Sequence, residues 1–311
     1  MNNIILDIRN VSKKIGHQTI VKDLNLQVKR GEVFGFLGPN GAGKTTTIKM
    51  IVGLNNMTEG DIFINNYSIK NEFISAISEV GAIIENPDLY KNLTGLENLK
   101  QFSRMYGNIK SEIIDEVIHI LHLEKYINQN VKTYSLGMKQ RLGIAQALLH
   151  KPKLIILDEP TNGLDPQGIH ELRNIIKNLS KEKEITIFIS SHNLTEIEHI
   201  CDRYALIKNG VLIGVEQISN DENKKATFVF ELEKNDILKA RSIISKNFDQ
   251  MNPKIAFHNN KMFVEVSDRK EIAFLNKQLI LSDINIISIY ENHITLEEKF
   301  LDKIDGANER C

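Results

Sequence analysis

The sequence predicts an α/β protein in two parts: a large domain over residues 1–220 and a small α+β domain over 221–311. The large domain is expected to hold a parallel sheet with an antiparallel β subdomain and a helical subdomain attached. Three observations lead there. Val33-Phe34-Gly35-Phe36-Leu37 is a short apolar run of buried-strand character. It is followed by Gly38-Pro39-Asn40-Gly41-Ala42-Gly43-Lys44-Thr45-Thr46, which fits the phosphate-loop pattern GxxxxGK plus Ser or Thr between a strand and a helix. Downstream, Leu154–Leu157 and Thr186–Ser190 are β-branched runs separated by a helical segment, Gln167–Lys181. Strand, helix, strand implies parallel pairing with a right-handed crossover. The last part of the chain repeats the alternation in the order strand, helix, strand, strand, helix, strand, which suggests a ferredoxin-like unit.

In chain order, residues 3–36 alternate apolar and polar positions around turns at Lys14–His17 and Lys29–Glu32, a pattern of short antiparallel strands beside the phosphate loop. A helix is expected from Lys44 to Val52 and a strand over Gly60–Ile64. From about Asn71 to His150 the chain reads as helical and polar, and Thr94-Gly95-Leu96-Glu97 is a capping-box sequence that starts a helix. Tyr204–Ile207 and Val211–Gly214, joined at Lys208-Asn209-Gly210, predict a hairpin. The polar run Ser219–Lys225 marks the domain boundary. Beyond it the strands are expected at Ala226–Leu232, Lys254–His258, Met262–Val266 and Ile284–Tyr290, with helices over Asp236–Asn247 and Asp268–Ser282 and an Asn-Asn turn between the middle strands. A last helix, Thr295–Ile304, carries Leu296, Phe300 and Ile304 at helical spacing and is expected to pack back on the body.

Composition narrows the function classes. A formal net charge of −1 gives no overall pull toward nucleic acid or an anionic membrane, and no nucleic-acid partner is expected. The 2 cysteines, Cys201 and Cys311, have neither disulfide nor metal-ligand spacing and predict reduced thiols in a cytosolic setting. No run approaches the roughly 18 apolar residues of a membrane helix, and the N-terminus lacks the charge pattern of a secretion signal. Any membrane role must come through a partner.

The chemistry follows from spacing. Glycines at 38, 41 and 43 let backbone N–H groups converge on phosphate oxygens, and the helix N-terminus adds its partial positive charge. Lys44 is expected to reach the β- and γ-phosphates and Thr45 to ligate Mg²⁺. Leu154-Ile155-Ile156-Leu157 runs directly into Asp158-Glu159-Pro160. A strand end of this kind delivers Asp158 to the Mg²⁺ shell and turns Glu159 toward the water that attacks the γ-phosphate.

Tyr134-Ser135-Leu136-Gly137-Met138-Lys139-Gln140-Arg141, lying before that acidic strand, resembles the signature loop of the ABC ATPases in a diverged form. Ser135 and Gly137 remain, while the first, third and fifth residues of the usual Leu-Ser-Gly-Gly-Gln are replaced. Gly163-Leu164-Asp165 is similar to the family's dimer-contact loop, and His192 after Ser190-Ser191 matches its switch histidine. The resemblance covers residues 1–215 and implies a P-loop ABC ATPase core that binds ATP and Mg²⁺. It also implies face-to-face dimers, with nucleotide on one Lys44 capped by Ser135 and Gly137 of the other subunit. Asp165 would contact the partner copy's site, and His192 the γ-phosphate. A serine at a helix start makes physical sense there, since hydroxyl, amide and helix dipole together form an anion-binding surface.

The chain departs from the family in two places. Ile15 stands where the adenine-stacking aromatic is usual, so base binding would rest on apolar contact. Within Gly81-Ala82-Ile83-Ile84-Glu85-Asn86-Pro87, Glu85 replaces the glutamine that joins core to helical subdomain. The carboxylate brings a formal charge toward the phosphates and Mg²⁺. Glutamate here, the signature sequence and the small C-terminal domain resemble the ATPase subunits of lantibiotic self-protection and bacitracin-resistance exporters. The resemblance implies an ATP-hydrolysing subunit at the cytoplasmic face of the membrane, docked on a permease through Asn71–Lys132. The alternatives are the ATPase of a peptide-sensing ABC complex and, further off, a non-transport ABC ATPase.

Overall fold

The computed structural model describes residues 3–107, 109–218, 226–233, 236–247, 254–258, 260–266 and 269–291. The chain forms two compact units, Met1–Ile218 and Ser219–Cys311.

The first unit opens with two 12-residue strands, β1 (Ile4–Ile15) and β2 (Gln18–Lys29), paired antiparallel around Gly16. Strand β3 (Val33–Leu37) and helix α1 (Lys44–Ile51) follow, then β4 (Glu59–Ile64) and the short β5 (Tyr67–Ser68). Helix α2 (Phe73–Ile77) leads to β6 (Val80–Ile83), and then come α3 (Gly95–Met105), α4 (Ser111–Ile120) and α5 (Leu136–Leu148). The chain returns through β7 (Leu154–Asp158), α6 (Pro166–Lys183), β8 (Thr186–Ser191), α7 (Leu194–Ile200) and the hairpin of β9 (Arg203–Lys208) and β10 (Val211–Gln217). Positive φ at Asn209 and Gly210 gives that hairpin the tight turn its Asn-Gly sequence predicts.

These strands make two sheets. The antiparallel one runs β2-β1-β4-β5, and the other runs β10-β9-β3-β8-β7-β6 with all but its outer β10 parallel. Every residue of β3, β7 and β8 is buried, as expected for parallel strands covered on both faces. A single core joins the sheets: Phe34, Phe36 and Phe188 of the parallel sheet pack with Ile48 of α1 and with Leu6 and Ile62 of the antiparallel one. Cys201, following α7, is buried and unpaired, and burial pushes its thiol pKa far above the ordinary range.

One expectation is corrected. The sequence reads as helical from Asn71 to His150, yet β6 lies inside that stretch as the edge strand parallel to β7. Its four residues include Gly81 and Ala82, both poor strand formers, so the run carries little strand signal. Glycine is needed at 81 because a Cβ there would lie 2.3 Å from the Ala147 carbonyl oxygen of α5. Edge strand and helix therefore approach at backbone distance. The capping box at the start of α3 is formed: Glu97 N–H donates to Thr94 Oγ1 at 3.2 Å and Thr94 N–H to Glu97 Oε2 at 2.8 Å.

The second unit contains β11 (Ala226–Leu232), α8 (Ile237–Asn247), β12 (Lys254–His258), β13 (Lys261–Val266), α9 (Arg269–Leu281) and β14 (Ile286–Glu291). The order β12-β13-β11-β14, antiparallel at each pairing, is that of a ferredoxin-like sheet. Phe230, Met262 and Val264 of its strands pack with Leu275 and Leu279 of α9. The boundary run Ser219–Lys225, Asn259 of the expected turn, the expected helix Thr295–Ile304 and Cys311 lie outside the described residues.

Candidate active site

The site is built at the C-terminal ends of neighbouring parallel strands. Strand β3, held between β8 and β9, runs into the phosphate loop. A Cβ at Gly38 would lie 2.4 Å from the Ile207 carbonyl oxygen, and Gly43, which caps α1, sits at φ +103 where a side chain is strained. Between them Ala42 is packed inward while Pro39, Asn40 and Gly41 lie on the outer side of the loop. Lys44 is only 6% exposed. Its ammonium donates to the Gly38 carbonyl at 2.7 Å and the Pro39 carbonyl at 3.3 Å, and pairs with Glu159 Oε1 at 3.1 Å. Thr45 and Thr46 follow in the first turn of α1.

The acids come from β7. Asp158 accepts from Thr45 Oγ1 at 3.0 Å and from Ser190 Oγ at 2.5 Å, which fixes both carboxylate oxygens in a buried setting. Glu159 has φ +49, a left-handed conformation that costs a non-glycine residue energy and is found at functional sites. Its N–H is held by Ser190 Oγ at 2.9 Å and the Ser190 carbonyl at 3.2 Å. The Glu159 carboxylate lies between Lys44 and His192, whose Nδ1 is 2.8 Å from Oε2 and whose backbone N–H donates to the same oxygen at 3.3 Å. A carboxylate held on both sides at a strand end has the placement a general base needs. The buried ammonium and the α1 N-terminus supply the positive potential that phosphates require.

A cavity of about 240 Å³ is lined by Thr45, Glu85, Gln140, Asp158 and Glu159 among others. A hydroxyl and a carboxylate are hard oxygen donors, and the Thr45–Asp158 pair suits Mg²⁺, which takes one or two protein oxygens together with phosphates and waters. Among the described residues, no cluster of three or more His, Cys, Asp or Glu could hold a metal without such help.

The structure thus brings Lys44, Thr45, Asp158, Glu159 and His192 together, with Glu85 at the edge of the same cavity. Gly38–Gly43 and Thr46 adjoin Lys44 and Thr45 in the loop and helix, and the other predicted residues lie apart. Ile15 stands at the tip of the β1–β2 hairpin, 56% exposed. Ser135 caps α5 and accepts from Met138 N–H at 3.3 Å, and the nearest side-chain atom to a Cβ at Gly137 would be Leu164 at 3.7 Å. Asp165 caps α6, accepting from Gly168 N–H at 2.9 Å. Sequence reasoning missed Ser190 as the residue that positions both acids; the register Asp158↔Ser190 between β7 and β8 explains it. It also missed Glu196 of α7, which accepts from Ser191 Oγ at 3.2 Å and from Thr161 Oγ1, tying the segment after the acids to the end of β8, just before His192.

A phosphate loop on one central strand and an Asp-Glu pair on the next strand but one define a P-loop ATPase. The family model described as ABC transporter matches residues 21–162. The chain is 43% identical to the uncharacterized ABC transporter ATP-binding protein YhcH of Bacillus subtilis, over 98% of this chain and 97% of that one. It is 41% identical to the bacitracin transport ATP-binding protein of Bacillus licheniformis, over 97% and 98%, and 42% identical to a lantibiotic transport ATP-binding protein of Streptococcus pyogenes, over 72% and 96%. Among solved structures it is similar to an ATP-binding cassette described as a dimer in a post-hydrolysis state bound to ADP and Pi. There the TM-score is 0.62 at 27% identity, covering 70% of this chain and 100% of the other. The chain belongs to the ATP-binding proteins of ABC transporters: it is an ATP-binding, ATP-hydrolysing transporter subunit. Among the described residues no helix is long and apolar enough to cross a membrane.

Proposed function

We propose that this chain is the ATPase subunit of an exporter that protects its cell from a bacitracin-type or lantibiotic peptide. The observation that carries this reading is likeness to a bacitracin transport ATP-binding protein over nearly the whole of both chains, the C-terminal unit included. Glu85 in place of the usual amide supports it. Two copies close face to face at the cytoplasmic surface of the membrane, Ser135 and Gly137 of each capping ATP held by Lys44 of the other, with Asp165 at the contact. Ile15 lies against the base, Thr45 and Asp158 hold Mg²⁺, Glu159 takes the proton of the attacking water, and His192 contacts the γ-phosphate. A permease docks on the stretch Asn71–Lys132, where Ile74, Tyr90, Met105 and Tyr106 leave apolar surface exposed.

The test is peptide resistance. Sensitive cells expressing the chain with its membrane partner should tolerate more bacitracin or lantibiotic than cells expressing the Glu159→Gln pair. Equal sensitivity to both peptide classes, with ATPase activity intact, would remove the resistance role.

A further inference from the structure

Glu85 faces two ways. Its residue lines the small cavity with Thr45 and Asp158, and it also lines a separate groove with Val52, Tyr106 and Gly143 on the helical-subdomain side. Two residues after β6 its backbone adopts φ +63, again a left-handed conformation on a non-glycine residue, so its backbone is held by the surrounding structure. On the groove side stands Lys49, one turn beyond Thr45 on α1, with its ammonium 3.2 Å from Glu85 Oε1. The helix that carries the hydroxyl facing Asp158 therefore also carries the cation that holds Glu85.

We propose that Lys49 is a positioning residue for the metal site: it holds the Glu85 carboxylate on the groove side and offsets its charge, in competition with the divalent cation at Thr45 and Asp158. This rests on the reading that Thr45 and Asp158 hold Mg²⁺. An ionised carboxylate beside a triphosphate is repelled unless a cation offsets it. Lys49 provides that offset with or without metal. Without Lys49 the offset must come from Mg²⁺ alone, so nucleotide binding becomes more dependent on the ion. The pair's exposure, 35% for Lys49 and 67% for Glu85, makes its contribution to folding small and leaves the ammonium free to exchange partners.

The experiment measures calorimetric affinity for the imido analogue of ATP, with Mg²⁺ and with chelator, at fixed ionic strength. The proteins are the full-length wild type, Lys49→Met, Lys49→Arg, Glu85→Gln, Lys49→Met/Glu85→Gln and Asp158→Asn. Lys49→Met should raise the ratio of metal-bound to metal-free affinity about fivefold, the upper size of one screened ion pair, while Lys49→Arg keeps the wild-type ratio. In the Glu85→Gln background Lys49→Met should change the ratio little. An unchanged ratio in Lys49→Met, or an equal rise with Glu85 removed, overturns the proposal. Asp158→Asn separates the two readings. If it collapses the wild-type ratio while Lys49→Met leaves it alone, only the role of Lys49 falls. If it leaves the ratio unchanged, the metal site itself falls, and the proposal with it.

Discussion

Glu159 combines a strained backbone, two fixed N–H contacts to Ser190 and a carboxylate clamped by Lys44 and His192. Replacing it by glutamine preserves the shape and the hydrogen-bonding reach but removes the base. Glu159→Gln should bind ATP and hydrolyse it at least ~100-fold more slowly, the size expected of a general base. Steady-state phosphate release beside nucleotide binding checks this, and near wild-type turnover would take Glu159 out of the role. Residues of this kind were legible because they sit in contiguous motifs: a phosphate loop needs its glycines and lysine at fixed spacing, whatever the rest of the chain does. Ser190 and Lys49 were not legible. Each acts on a residue far along the chain, Asp158 and Glu85, and neither carries a local pattern.

Between elements, α4 is tied to the core by charge. Glu116 accepts from Lys183 at the end of α6 at 2.7 Å and lies 3.9 Å from Lys151. The hydrogen bond from Lys183 holds the Glu116 carboxyl below its ordinary pKa, outweighing a small desolvation that raises it. A carboxylate depressed in the folded state stabilises above its unfolded pKa, and that contribution is lost as pH falls through the folded value. Glu116→Gln should therefore melt slightly below wild type at neutral pH and low salt. The two melting temperatures should converge in acid below the usual carboxylate range and at high salt, where exposed pairs are screened. A difference that persists across pH would assign the effect to packing. Elements were legible where a local signal was strong: α3 starts at its predicted capping box, and the β9–β10 hairpin and the strands flanking α6 lie close to their predicted spans. Strand β6 was not, because Gly81, which the close approach of α5 requires, and the exposed Ala82 beside it erase the strand pattern.

At the scale of the whole molecule, one copy carries a phosphate loop and a signature helix; Leu136 and Gln140 of that helix border its own cavity, while Ser135 and Gly137 are not among the lining residues. The Glu159→Gln protein should therefore dimerise on adding MgATP, with Ser135→Arg preventing it. Light scattering with and without MgATP, in the presence of the permease if the isolated subunits stay apart, reads the outcome; a monomer throughout would count against capping in trans. The succession of strands and helices predicted an α/β core and a ferredoxin-like companion. Neighbours joined by one helix or one turn, β7–β8 and β9–β10, were legible; the place of β3 between β8 and β9 was not, since periodicity says which face of a strand is buried and nothing of which distant strand lies beside it.

The placement of β3 has a consequence for biosynthesis. Both of its neighbours, β8 and β9, come from residues 186–208, whereas the phosphate loop it carries is complete by residue 46. On the ribosome the nucleotide-binding loop therefore emerges long before the strands that hold it, with Phe34 and Phe36 lacking their partner Phe188. Parallel pairing across such a separation closes late and slowly. Strand β3 can pair with β8 only after residues 186–191 have been made, so the strand support of the phosphate loop and the Ser190–His192 segment become available together.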